Sequence, residues 1–228
     1  WLIEFVGNFD KYMQYQHAFN LLNFDLHLGL IVKSGLKNGF HLWHNQTKLY
    51  NYFQDEENIY LTKLYKRNFV EMPLIYKLIQ DLNPSKHTNI IDALTSYEDT
   101  KLISNSVKFK VIAYFTIIEG LLTHNPNDPT NIDSITRQIT NKVELINNRL
   151  NDKIDFVKWF GSVNNKKIFS KLYAYRSTIA HGGTIDFSKE FAIFKDSDYI
   201  LSFIKYLTKK VLIASINEPD LINDLKNC

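Results

Sequence analysis

From Val107 to Ala214 the chain repeats apolar residues three and four positions apart, and that spacing restricts it to packed helices. In VKFKVIAYFTIIEGLL, the residues Val107, Val111, Phe115, Ile118 and Leu122 fall on one helical face. The segment NPNDPTN then interrupts with two prolines. Ile135, Ile139, Val143, Ile146 and Leu150 repeat the pattern, with Thr130 or Asn131 placed to cap the start of that helix. After a short aromatic piece, DFVKWFGS, a third helix carries Ile168, Leu172, Tyr175 and Ile179. Gly182 and Gly183 end it, because glycine enters the left-handed conformation that closes a helix. A fourth helix carries Tyr199, Phe203, Leu207, Val211 and Ala214, with Pro219 beyond its end. Four amphipathic helices joined by short or moderate connections predict a bundle, so the expected fold class is all-α.

The first half is less regular. FDKYMQYQHAFNLLNFDLHLGLIVKSG reads as helical, although LHLGLIVKS also suits a short strand. NIYLTKLYKRNF and PLIYKLIQDL read as two helices divided at Pro73, a residue that favours the first turn of a helix. NPSKHTN marks a boundary region. The expected division is a mainly helical N-terminal region over 1–97 and a helical bundle of four to five helices over 98–228.

With 45% hydrophobic residues, the chain can bury a core and is not a disordered tail. No apolar run is long enough to span a bilayer, and no signal peptide opens the chain. The single cysteine, Cys228, allows neither an internal disulfide nor a thiolate metal cluster. A soluble, cytoplasmic protein without cofactor, metal or membrane partner is expected. Because the chain starts at Trp1, it reads as part of something longer. The formal net charge is +3, and all of the excess cation lies after residue 97. An excess that small permits a polyanionic partner without arguing for one.

No phosphate-binding glycine loop, GxSxG elbow or HExxH pair is present. His41 and His44 lack a carboxylate third ligand, so packing or surface roles suit them better than metal binding. His17, His27 and His87 are isolated. His124 ends the first bundle helix, where a cation meets the helix's negative end favourably.

The segment KLYAYRSTIAHGGTI remains, in which Arg176 precedes His181 by five positions at the end of a bundle helix. RSTIAHG resembles the arginine–histidine signature of the HEPN superfamily, in which four to six residues separate the two. Upstream, IIEGLL with Glu119, then a polar loop and LYAYRSTIAHG, resemble the Apea-like branch over roughly residues 98–216. HEPN members are helical bundles, often dimeric and often metal-independent ribonucleases, and frequently toxic effectors of bacterial defence against phage. The resemblance implies a homodimer whose paired motifs line one cleft, with Arg176 and His181 as catalytic residues and Glu119 beside them. In the nucleotidyltransferase-paired HEPN toxins a tyrosine shortly follows the histidine. Here Gly-Gly-Thr-Ile follows it, which disfavours that subfamily.

The residue types suit this chemistry. When the 2′-hydroxyl of RNA attacks the neighbouring phosphate, one proton must leave the nucleophile and another must reach the departing oxygen. Histidine serves that transfer near neutral pH. Arginine offers a permanently charged fork to the phosphate oxygens. Residues five apart lie about 140° apart around a helix, however, so Arg176 and His181 do not share a face of an intact one. They converge if the helix frays at Ala180, or in a cleft shared with a second copy.

Glu119 either orients Arg176 or His181, or is an edge carboxylate reaching water or a structural partner. Lys166, Lys167, Lys171 and Ser177 on the same helix suit contacts to RNA, tRNA included, or a plain solvated face. Tyr173 and Tyr175 could stack a base near the cleft, but in a chain with 13 tyrosines they read as packing residues. A HEPN bundle can also be a non-catalytic dimerisation or RNA-binding module that serves another domain of its protein.

Overall fold

The computed structural model describes residues 9–22, 31–36, 39–43, 66–103, 106–124 and 135–227. The chain divides into two compact units between Asp81 and Leu82, earlier than the expected boundary at 97/98.

In the first unit α1 (Phe9–Leu21) packs on α2 (Lys66–Gln80), with Phe19 and Leu22 buried against Met72 and Ile75. Tyr15 and Tyr76 stack with ring centroids 4.1 Å apart. Between these helices in sequence, β1 (Ile31–Leu36) and β2 (Gly39–Trp43) form an antiparallel hairpin. The strand reading of LHLGLIVKS was therefore right for its second half, and His41 lies on a strand, where helical spacing to His44 has no meaning. His44, His27 and the segment 58–65 lie outside the described residues. Pro73 does not divide α2 as expected but sits inside it. It costs the helix one hydrogen bond, yet Met72 and Ile75 on either side remain packed on α1.

The second unit is the expected helical bundle. It comprises α3 (Thr88–Asp99), a 3₁₀ turn (Thr100–Leu102), α4 (Val107–Leu122), α5 (Ile135–Arg149), α6 (Phe156–Phe160), α7 (Asn165–Ala180), α8 (Ser197–Asn217) and α9 (Pro219–Asn227). Helix α3 belongs here because it packs on α4 and α8. Its apolar spacing (Ile90, Ala93, Leu94, Tyr97) went unread in the sequence beside the more obvious NPSKHTN. Pro219 ends the reach of α8 and opens α9 at a position where a missing N–H costs nothing.

Helix α4 lies at the centre, touching α3, α5, α7, α8 and α9. Ile118, Leu121 and Leu122 are fully buried on it, and so are Phe203, Ile204, Leu207 and Val211 on α8, which packs against it. Aromatic side chains fill the neighbouring space. Phe203 meets Phe156, Trp159 and Phe160, the last with centroids 4.6 Å apart. Polar ties close the loops: Gln138, almost fully buried, accepts from the His124 N–H at 3.1 Å and donates to the His124 carbonyl at 3.2 Å. The end of α4 is thus tied to α5 through Gln138. Residues 125–134, which hold the expected caps Thr130 and Asn131, lie outside the described residues.

Phe203 is the residue on which this packing can be tested. Phe203→Ala should lower unfolding free energy by about 3–5 kcal/mol, whereas Val157→Ala, at a position 71% exposed, should stay within about 0.5 kcal/mol. Urea denaturation of the two variants measures both.

Candidate functional site

The end of α7 is built by its last residues. His181 is the C-cap, with φ −97° and ψ 9°. Gly182 takes φ +70°, and its N–H donates to the Ile179 carbonyl at 3.1 Å. The Gly183 N–H donates to the Thr178 carbonyl at 2.8 Å. This pair of bonds satisfies the carbonyls that a helix end leaves open. Each glycine has its own reason. At Gly182 a side chain would strain the left-handed backbone, and a Cβ on Gly183 would come within 2.9 Å of Thr178 Cγ2. The helix therefore runs unfrayed through Ala180, and His181 is held exposed at its tip.

Arg176 points elsewhere. One Nη of its guanidinium donates to Glu119 Oε2 at 3.2 Å, joining α7 to α4. The Arg176 side chain is 30% exposed and the Glu119 side chain 13%. Glu119 is thus an ion-pair partner of Arg176 and not an edge carboxylate reaching only water. Tyr173, one turn earlier, lies 5.9 Å from the guanidinium carbon and 6.1 Å from the Phe115 ring. Its face supports the cation electrostatically. Two atoms of the pair, Glu119 Oε1 and Arg176 Nε, are buried with no hydrogen-bond partner among the described residues.

The cost of that burial falls on Glu119. Desolvation raises its carboxyl above the ordinary 4.5, and the charge and hydrogen bond of Arg176 pull it back only in part.

The other expected site residues are spread around α7. Lys167 is exposed, and Ser177 is half-buried. Lys171 turns towards the segment after the helix, with its Nζ 3.9 Å from Glu190 and 6.0 Å from the Phe191 ring centroid. Tyr175 is core, as expected, and its hydroxyl donates to Ser197 at 2.8 Å. His87 is buried at the start of α3, its Nε2 2.9 Å from Asp220, which gives it a structural place. No group of three metal-ligating side chains occurs among the described residues.

Sequence reading missed a polar cleft of about 530 Å³ between α5 and the first turns of α7, lined by Arg137, Thr140, Asn141, Glu144, Lys166 and Ser170 among others. Lys166 was noticed only as one of several lysines. Nothing in the spacing within α5 announces that its polar residues face α7.

Compared with family models, with curated proteins and with solved structures, the chain matches none. The functional reading rests on these residues and on the resemblance of RSTIAHG.

The raised carboxyl of Glu119 has a measurable consequence. An acid whose folded value lies above its unfolded one holds its proton longer in the native chain. Its contribution to stability is therefore greatest at low pH and is lost as pH climbs from about 4.5 through the raised value. Removing the guanidinium raises the carboxyl further and leaves a buried charge unpaired. Arg176→Ala should cost little below about pH 4 and about 1–3 kcal/mol near neutral pH. Glu119→Gln should flatten this part of the pH profile. Urea unfolding across that range decides it, and an equal loss at both ends would contradict the pairing.

Proposed function

We propose that the chain is a HEPN-type, metal-independent endoribonuclease that works as a homodimer, in the manner of the toxic effectors of bacterial anti-phage defence. The carrying observation is the end of α7. There a guanidinium fork is held by a half-buried carboxylate, and an exposed imidazole follows five residues later at the helix tip.

In this reading Arg176 binds the non-bridging oxygens of the scissile phosphate, and Glu119 keeps the fork oriented. His181 serves the proton transfers. The 2′-oxygen bonds to phosphorus as the bond to the 5′-oxygen breaks. One proton leaves the 2′-hydroxyl and one arrives on the departing 5′-oxygen, giving a cyclic phosphate and a free 5′-hydroxyl. These transfers contribute about 10²–10⁴-fold to such reactions.

The homodimer in this reading comes from the family resemblance, and the helix geometry is compatible with it. Because α7 stays helical through Ala180, the fraying route to a shared site is closed. Arg176 and His181 remain about 140° apart around the axis. A second copy, bringing its own helix tip alongside, supplies the convergence that one helix does not.

Purified protein incubated with tRNA and total RNA in EDTA should cleave RNA, and His181→Ala and Arg176→Ala should each reduce the rate at least about 100-fold. Light scattering should show a dimer at micromolar concentration. RNA bound but left intact would favour the non-catalytic module, and a requirement for a divalent cation would refute the mechanism.

A further inference from the structure

The cleft between α5 and α7 is lined by polar and charged side chains, most of them exposed. Two cations, Arg137 and Lys166, line it together with the hydroxyls of Thr140 and Ser170 and the amide of Asn141. Its volume of about 530 Å³ is that of a small-ligand site, while its lining offers a ligand charge and hydrogen bonds. One carboxylate is also present, and the Nδ2 of Asn165 donates to Glu144 Oε1 at 3.0 Å. A site for a bare anion gains nothing from a carboxylate. A ligand that carries both phosphates and hydroxyl or amino donors can meet the cations and the carboxylate together.

The cleft also leads somewhere. Lys166 and Ser170 line it, and the same face of α7 continues through Tyr173 and Ser177 to His181. These five residues are spaced by four, three, four and four, and they occupy about 80° of arc. Lys166, Ser170 and His181 are exposed, and Tyr173 and Ser177 are half-buried, so the stripe stays open to solvent along its length. From Lys166 to His181 it covers about 22 Å at 1.5 Å per residue. Lys167 and Lys171 lie off this stripe, about 100° and 140° around from Lys166. Lys166, rather than those two, is the lysine that faces the cleft.

We propose that this cleft is a remote subsite for single-stranded RNA, in which Arg137 and Lys166 hold the phosphodiester backbone of the strand whose scissile linkage lies at the His181 end of α7. This rests on the ribonuclease reading, and it adds where the substrate is gripped away from the reacting phosphate. Arg137 and Lys166 are binding residues in this scheme and take no part in proton transfer.

Binding is tested apart from cleavage by working in the His181→Ala protein, with a fluorescein-labelled short single-stranded RNA and anisotropy as the readout. Adding Arg137→Ala and Lys166→Ala together should weaken binding roughly ten- to thirtyfold at about 0.1 M salt. The slope of log affinity against log salt should become shallower by about 1.4, at about 0.7 per lost cation contact to a single strand. Lys158→Ala, which removes an exposed lysine outside the cleft, should change neither, and Arg137→Lys should recover most of the loss. Far-UV circular dichroism and unfolding midpoints check that the variants fold.

An unchanged affinity and salt slope in a folded double variant overturn the subsite, even if the parent cleaves RNA in EDTA. Loss of affinity for AMP or inorganic phosphate in the double variant, with RNA binding intact, also overturns it. If the parent binds RNA through Arg137 and Lys166 but never cuts it, the subsite stands and the nuclease reading falls.

Discussion

Helix α4 has to be surrounded. Its residues from Val107 to Leu122 are apolar around most of the circumference, and a helix of that kind is stable only where other helices cover it. Five of them do. Burying α4 sets where α3, α5, α7, α8 and α9 lie, and it also carries Glu119 away from bulk water. A carboxylate in that position needs a partner, and the partner comes from α7. The pairing of Glu119 with Arg176 is therefore a consequence of how the core is assembled, and it fixes the guanidinium at the surface of the bundle.

The same helix pair explains why the candidate site is only half built. Glu119 and Arg176 satisfy one contact each and leave one atom each without a partner among the described residues. Such an arrangement costs stability relative to an apolar pair of similar volume. What it contributes is orientation: the fork is held by a carboxylate and by Tyr173, while the Arg176 side chain as a whole stays 30% exposed. His181 is positioned by different means. Backbone bonds from Gly182 and Gly183 close the helix behind it, so its place is set by local geometry and not by the core.

Several of these features were legible in residue order, for definite causes. The four long bundle helices from 107 to 214 show in their three-and-four apolar spacing, and the stop after Ala180 shows in a glycine pair. Elements that depend on competition between tendencies were not. Pro73 argues for a break, yet burial of Met72 and Ile75 keeps α2 whole. Extended pairing claimed residues 31–36 through a hairpin partner that helical reading did not consider. Helix α3 was obscured by the turn before it, and its packing on α4 moved the boundary between units to Asp81.

Residue order alone settled the helical class of the bundle and the end of α7, since the helix period and glycine's left-handed conformation act within a few neighbouring residues. The exposure of His181 came from the structure. It also ruled out a common face for Arg176 and His181, by the arithmetic of the turn. Folding settled the rest: α4 as the centre, the Arg176 contact with a carboxylate 57 positions earlier, and a polar cleft facing Lys166 rather than Lys167 or Lys171. Those outcomes depend on how each helix is rotated and crossed against its neighbours. Side-chain volumes over the whole core decide that, and spacing along one helix does not encode it.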